Sequence, residues 1–388
     1  MSLPPLVEPA DPLTRDEIER YSRQVIIPDV GMDGQRRLKN AKVLVIGAGG
    51  LGSPILMYLA AAGVGTLGIL DFDSVESSNL QRQVIHGVAD IGRPKTLSAA
   101  ETVAAVNPLV VVRQHTERLG SANALQLIDG YHLVLDGTDN FATRYLVNDA
   151  CMLAGKPYVW GSILRFEGQV SVFWAEHGPQ YRDLHPVPPP PGSVPSCAEG
   201  GVLGMLCATI GSLMATEAVK LICGIGVPLL GRVLTYDALE TAFRTVNLRR
   251  DPDALPVTGL IDYQEFCSGG PAAARDTEDL AAHTISAGEL KRRLDSGEQL
   301  LIVDVREPAE QDIVRIEGSV LIRSAELVSG GALTQLPSDR QIVLHCKSGG
   351  RSAEALKAVR RAGFTDAVHL GGGILAWIDE VDPGLARY

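Results

Sequence analysis

The stretch from Lys42 to Asp73, KVLVIGAGGLGSPILMYLAAAGVGTLGILDFD, constrains the fold more than any other part of the chain. Val43 to Ile46 is apolar and rich in β-branched residues, which suits a parallel strand buried on both faces. Gly47, Gly49, Gly50 and Gly52 follow at once, then an apolar helical pattern from Leu51 to Ala62 and a second apolar run, Leu67 to Leu70, closing on Asp71. Strand, glycine turn, helix, strand and acidic residue is the layout of a nucleotide-binding βαβ unit. The glycines let the backbone approach a phosphate, and the helix start offers unpaired N–H groups.

The pattern continues with helices at Thr96 to Val106, Ala122 to Ile128 and Phe141 to Ala154. Strands are predicted at Val110 to Val112, Leu133 to Leu135 and from Lys156 to Trp160. Alternating strands and helices predict an α/β fold with a doubly wound, Rossmann-like, mostly parallel sheet. Thr14, followed by Glu17, is a capping signal for a helix to Gln24. Further strands are expected at Gln169 to Trp174, Val233 to Tyr236 and Phe243 to Val246, and the uncharged run Gly200 to Thr216 reads as a buried helix, too short to span a membrane. Tyr181 to Pro195 is proline-rich and runs into Ser196-Cys197-Ala198-Glu199-Gly200-Gly201, a strap that can carry Cys197 over a site.

The chain, 388 residues long, is comfortable for two domains. Composition turns small, polar and acidic near residue 270, so the expected division is a first domain at 1–265, a linker at 266–283 and a second, smaller α/β domain at 284–388. Within the latter, helices are predicted at Ala287 to Asp295 and Ser352 to Ala362, and strands at Leu300 to Val305, Ile342 to His345 and Ala367 to Leu370. A net charge of −11 argues against nucleic-acid binding and leaves phosphate work to local cations. The six cysteines lack the tight spacing of a disulfide framework, and the first residues lack a basic-then-apolar signal pattern. A cytoplasmic protein without membrane attachment is expected.

A glycine fingerprint alone points most often to NAD or FAD. Downstream, Ser78-Asn79-Leu80-Gln81-Arg82 and Lys95 add amides and cations, and Asp139-Asn140 follows a third strand. A triphosphate attacked at its α-phosphorus needs such cations and a carboxylate for Mg²⁺. On spacing alone, Arg82 and Lys95 fit equally well as solvated surface charge.

GAGGLG, LDFD, SNLQRQ, GRPK, DGTDN and SCAEGGVLG occur in this order, and from Arg20 to Val246 the chain resembles the MoeB/ThiF family, relatives of the ubiquitin-activating enzymes. The resemblance implies an adenylyltransferase that uses ATP and Mg²⁺ to activate the C-terminal glycine of a ubiquitin-like sulfur carrier ending in Gly-Gly. By position, it puts Gly50 against the phosphates, Asp71 on the ribose, Asn79, Arg82 and Lys95 on the phosphates, and Asp139, with Asn140 beside it, on Mg²⁺. Arg23 matches an arginine that reaches into the neighbouring subunit's ATP site, which implies a homodimer. Cys197 matches a cysteine that forms a thioester with the carrier or resolves the sulfur adduct. Where relatives carry paired zinc cysteines this chain has Gln180 and Asp183, then Leu255 and Thr258, so no zinc is expected.

In the second domain a predicted strand delivers Cys346 into Lys347-Ser348-Gly349-Gly350-Arg351, followed by a helix. Loop and helix-start N–H groups around a strand-end cysteine favour the nucleophilic thiolate, and Lys347 and Arg351 add positive charge. A cysteine phosphatase also uses such a loop, but with one more residue between Cys and Arg; the tighter ring suits a sulfane sulfur. With VDVRE at Val303 to Glu307 and GGGILAW at Gly371 to Trp377, the segment resembles a rhodanese domain, with Asp304 and Arg306 bracing the loop. The segment common before that loop appears as Arg315-Ile316-Glu317-Gly318-Ser319, a variation that leaves the loop itself intact. Together the two resemblances imply a bifunctional adenylyltransferase and sulfurtransferase, with Cys346 taking sulfur from a sulfane donor. Such proteins serve molybdopterin, cysteine or thiamine synthesis. An NAD-dependent oxidoreductase, a phosphatase, a carrier-binding scaffold without catalysis, and an adenylating enzyme whose second domain is dispensable are the alternatives.

Overall fold

The computed structural model describes residues 3–189, 200–268 and 280–388, which form two compact units divided after Cys267. The first unit is built on an eight-stranded sheet in the order β3-β2-β1-β4-β5-β6-β7-β8. β1 (Lys42–Ile46), β2 (Thr66–Leu70), β3 (Val111–His115), β4 (Leu133–Asp136) and β5 (Tyr158–Leu164) run parallel. β6 (Glu167–Phe173), β7 (Arg232–Asp237) and β8 (Ala242–Asn247) extend it antiparallel. The predicted mostly parallel, doubly wound sheet is present. Alternate residues of the central strands serve opposite cores: Val43, Val45, Leu133 and Leu135 pack on one face, Leu44, Ile46 and Val134 on the other.

The apolar run expected to form a buried helix is the helix Gly204–Cys223. Leu206, Ile210, Met214, Ala218 and Leu221 are buried in the same core as the glycine-turn helix Gly52–Ala61. Each of the leucine, isoleucine and methionine side chains contributes roughly 1.5–3 kcal/mol by leaving water. It is the one helix among the described residues long and apolar enough to cross a membrane, and 61% of its apolar window is buried inside the fold. The N-terminal helix, Arg15–Val25, starts with the predicted box: Thr14 Oγ1 accepts from the Glu17 N–H, and Glu17 accepts from the Thr14 N–H. The helix Gly31–Asn40 was not foreseen, because it begins at a glycine with φ of +56° inside a stretch that reads as loop.

The second unit has a parallel sheet ordered β11-β10-β12-β13-β9: β9 (Thr284–Ile285), β10 (Leu300–Asp304), β11 (Val320–Leu321), β12 (Gln341–His345) and β13 (Val368–Leu370). In β12, Ile342 and Leu344 join the core containing Ala355, Leu356 and Val359 of the helix Gly350–Arg361. Val343 points to the other face, with Leu290 of the helix Ala287–Asp295 and Ile374 and Trp377 of the helix Gly373–Glu380. Most of the expected linker, residues 269–279, lies outside the described residues. Phe266 and Cys267 belong to the helix Tyr263–Ser268 of the first unit, so the boundary expected at 265 falls inside that helix.

The glycine turn shows why its last glycine is needed. A Cβ on Gly52 would lie 1.9 Å from the Gly47 carbonyl oxygen, an overlap only backbone movement can relieve. Gly52→Ala is expected to cost about 3 kcal/mol, read as a lower urea midpoint for the first unit's unfolding with the second unit's transition unchanged.

Candidate functional site

At the carboxyl ends of β1 and β4, where the strand order reverses, the chain opens a cleft of about 570 Å³. Open α/β sheets bind ligands at this kind of switch point. The Gly47 N–H donates to the Leu70 carbonyl at 2.8 Å and the Gly137 N–H to the Ile46 carbonyl at 3.0 Å, so each turn hangs from the end of the strand beside its own. Gly47 has φ of +92°, open to glycine at little cost. The helix Gly52–Ala61 starts without a side-chain cap; its Ser53 N–H donates to the Gly49 carbonyl at 2.9 Å, and Pro54 has no N–H to offer.

Asp71 accepts the Ala48 N–H on one oxygen and the Asp73 N–H on the other, each at 2.9 Å. Lys95 is buried with its Nζ 3.2 Å from Asp73, and Arg82 is half-buried with Nη1 on the Ser78 carbonyl at 3.0 Å. Asp139 is exposed at the rim, and Asn140 caps the helix Phe141–Leu153 by accepting the Thr143 N–H at 2.9 Å. Gly50, Asp71, Arg82, Lys95, Asp139 and Asn140 all line this one cleft.

Ser78, Asn79, Leu80 and Gln81 do not line it. Ser78 is exposed beside Glu76, and Leu80 is half-buried. Asn79 is buried and accepts the Glu76 N–H at 3.2 Å, so its side chain shapes the turn that carries Arg82. Gln81 sets its carbonyl against Gly204 at the start of the long apolar helix. Arg23 is exposed in the last turn of the helix Arg15–Val25, away from the cleft. Cys197 lies outside the described residues.

Several residues of the site were not singled out from the sequence. Arg144 lines the cleft, donates to the Thr138 carbonyl at 3.1 Å and lies over the Phe141 ring. Asp136, fully buried, accepts both the N–H and the hydroxyl of Thr138 through Oδ1, while Oδ2 has no hydrogen-bond partner among the described residues; burial pushes its carboxyl above the usual range. His86 bridges Ser98 Oγ at 2.8 Å and the Ala48 carbonyl at 3.0 Å, and burial holds its pKa down, so the ring that braces the glycine turn is neutral. Gln264 and Cys267 close one wall. Their only sequence signal was proximity to the composition change.

The Gln180 N–H donates to Asp183 at 2.7 Å, and Asp183 also accepts the Asp251 N–H at 2.9 Å. Leu255 and Thr258 are exposed. Among the described residues no three His, Cys, Asp or Glu side chains are grouped as a metal site. A carboxylate rim beside a lysine and an arginine suits phosphate-bound Mg²⁺, which keeps most of its water and takes only one or two protein carboxylates.

In the second unit β12 ends at His345, and Cys346 is buried with its Sγ accepting the Gly349 N–H at 3.1 Å. Gly349, at φ +105°, turns the loop into the helix Gly350–Arg361. Lys347 is half-buried, Ser348 and Gly350 are exposed, and Arg351 sits in the first helical turn. The glycine-rich GGGILAW motif braces this loop from behind: the Ile374 and Leu375 N–H groups donate to the Cys346 and Lys347 carbonyls at 2.8 and 3.1 Å. Asp304 and Arg306 form a fully buried pair at 2.6 Å, and Arg306 also donates to the Val314 carbonyl. Arg351 is held by both oxygens of Glu310, at 2.6 and 2.7 Å, a partner the sequence did not reveal.

His345 is completely buried, with a pKa lowered to about 4 by burial and then by Arg306, against an opposing pull from Asp304. The unfolded chain therefore takes up this proton first. Stability of the second unit should fall as pH drops from about 6.5 to about 4, by on the order of 3 kcal/mol. Acid titration of the unit's unfolding midpoint checks this, and His345→Gln should flatten that segment of the curve.

The ThiF family model matches residues 21–257 and the rhodanese-like domain model residues 286–380. The chain is 61% identical over 391 residues to the probable adenylyltransferase/sulfurtransferase MoeZ of Mycobacterium tuberculosis, covering 100% of this chain and 99% of that protein. It is 54% identical over 266 residues to the sulfur carrier protein adenylyltransferase of Thermus thermophilus, covering 66% of this chain and 98% of that one. The pig adenylyltransferase and sulfurtransferase MOCS3 is 42% identical, with 98% and 90% coverage. Among solved structures, Escherichia coli MccB with ATP superposes with a TM-score of 0.54 at 22% identity, covering 61% of this chain and 73% of that one, a likeness of fold. The chain belongs to the ThiF family, carries a rhodanese-like domain, and is a bifunctional adenylyltransferase and sulfurtransferase.

Proposed function

We propose that the first unit adenylates the C-terminal glycine carboxylate of a ubiquitin-like sulfur carrier and that Cys346 of the second supplies the sulfur. The observation that carries the reading is the convergence of the glycine turn, Asp71, Arg82, Lys95 and Asp139 on one cleft. The carrier carboxylate attacks the α-phosphorus of ATP, pyrophosphate leaves, and an acyl-adenylate remains. No protein nucleophile is needed. The work is positioning and charge neutralisation, by the turn amides, Arg82 and Lys95. Asp71 would hold the ribose. Asp139 would hold Mg²⁺, which neutralises phosphate charge when bound.

Cys346 attacks the outer sulfur of a sulfane donor, the donor's S–S bond breaks, and a persulfide forms as the donor's remaining group leaves. The persulfide sulfur attacks the acyl-adenylate carbonyl and AMP departs, giving an acyl disulfide between carrier and Cys346. A thiol, Cys197 or an external one, attacks the Cys346 sulfur and releases the carrier thiocarboxylate; external thiol reduces the disulfide left behind. Cys197 could alternatively hold the carrier as a thioester before the persulfide arrives. In this reading the adenylating domain is the first unit and the sulfurtransferase domain lies within the second, Arg23 completes the ATP site of a second copy in a homodimer, and the enzyme works in the cytoplasm on no nucleic acid.

Two variants test the assignment. Asp139→Ala should lower carrier-dependent pyrophosphate release by at least about a hundredfold, a loss of roughly 2.7 kcal/mol of transition-state stabilisation. Cys346→Ala should release pyrophosphate at the native rate and form no thiocarboxylate from thiosulfate. Normal sulfur transfer by that variant would remove Cys346 from the mechanism, and nicotinamide binding without pyrophosphate release would return the cleft to the oxidoreductases.

A further inference from the structure

The two cations of the sulfur-transfer loop are already engaged within the second unit. Glu310, mostly buried, binds Arg351 through both carboxylate oxygens at 2.6 and 2.7 Å. Burial alone would raise its pKa, but the hydrogen bonds and charge of Arg351, with the Glu307 amide and the Tyr388 hydroxyl, together outweigh this and hold it below the usual range. Tyr388 sits at the centre of the arrangement. Its hydroxyl donates to Glu310 Oε1 at 2.9 Å and accepts from Arg306 Nη1 at 2.5 Å. Its ring lies under the Lys347 ammonium, 4.5 Å from the nitrogen to the ring centroid. One aromatic residue thus holds Lys347 on its face and orients the carboxylate that neutralises Arg351.

This matters for the donor. Thiosulfate is a dianion whose leaving group, sulfite, carries away the electron pair of the broken S–S bond, so its transfer gains most from two available cations. A thiol persulfide, R–S–SH, brings no anionic group on the atom bonded to its sulfane sulfur and releases a single thiolate. In both cases the Cys346 thiolate attacks the outer sulfur, one S–S bond forms and one breaks.

We infer that Tyr388 and Glu310 are donor-selecting residues, which withhold Lys347 and Arg351 from anionic donors and fit the loop to a thiol persulfide. The inference rests on Cys346 as the persulfide carrier. Tyr388 acts through Lys347 and Glu310 and is a positioning residue.

The test uses the full chain and follows persulfide on the Cys346 peptide by mass spectrometry. Donors are thiosulfate and, in separate arms, cysteine persulfide and a persulfidated protein thiol. Tyr388→Leu should raise the ratio of kcat/KM for thiosulfate to that for cysteine persulfide by on the order of tenfold, mainly through a lower thiosulfate KM. Glu310→Gln should move the ratio the same way, and Tyr388→Phe, which keeps the ring under Lys347, should move it less. In the wild type, either persulfide arm should outpace thiosulfate. A purely structural role would lower all donors together. An unchanged or falling ratio in Tyr388→Leu and Glu310→Gln overturns the inference while leaving Cys346 in place. If Tyr388→Leu does not fold, Tyr388→Phe and Glu310→Gln decide. Absence of Cys346 persulfide from every donor in the wild type overturns the inference together with the carrier assignment.

Discussion

The hydrogen bond from the Ala48 amide to the Asp71 carboxylate, 2.9 Å long, joins the first turn of the sheet to the end of its second strand. Much of the adenylating unit depends on it. The glycine turn keeps its shape because Asp71 takes one amide from it and His86 takes the Ala48 carbonyl. The same carboxylate fixes the Asp73 amide, and Asp73 in turn anchors the Lys95 ammonium. A strand end, a glycine turn and a lysine thus form one connected unit before any nucleotide binds. Preorganised charge of this kind costs little reorganisation when a phosphate is attacked.

The second unit repeats the principle with a thiol in place of a phosphate. A central parallel strand ends, a glycine at positive φ turns the chain, and a backbone amide meets the reacting atom: Gly349 N–H to Cys346 Sγ at 3.1 Å. The two differ in how cations are placed. Lys95, though anchored by Asp73, and Arg82 both line the cleft of the first unit, whereas Arg351 is paired with Glu310 and Lys347 rests on Tyr388. A triphosphate calls for positive charge that faces it. A persulfide, with far less charge to stabilise, calls for less.

What was legible in the sequence was local. The Lys42 to Asp73 unit could be read because its glycines, apolar runs and terminal acid are consecutive. The strand-cysteine-glycine loop at Cys346 could be read for the same reason, and motif order singled out Asp71, Lys95 and Asp139, which line one cleft. Partners distant in the chain were not legible. Glu310 meets Arg351 across 41 residues and Tyr388 across 78, and no periodicity connects them. Arg144 looked like one more helical arginine. β9 and β11, two residues each, are too short for a pattern, and the helix Gly373–Glu380 hides behind glycines at positive φ. Asn79 was readable only by motif position, which gives no sign that its side chain accepts the Glu76 amide and shapes the turn.

The central claim is that the sulfur delivered to the carrier passes through Cys346 and meets a carboxylate activated in the first unit. The most direct measurement loads Cys346 with isotopically heavy sulfane sulfur, removes the donor, and then adds ATP, Mg²⁺ and a Gly-Gly-tailed sulfur carrier. The account predicts a carrier in which one C-terminal carboxyl oxygen is replaced by heavy sulfur, with AMP and pyrophosphate formed alongside. Exchange without ATP, or a thiocarboxylate bearing only light sulfur, would contradict it.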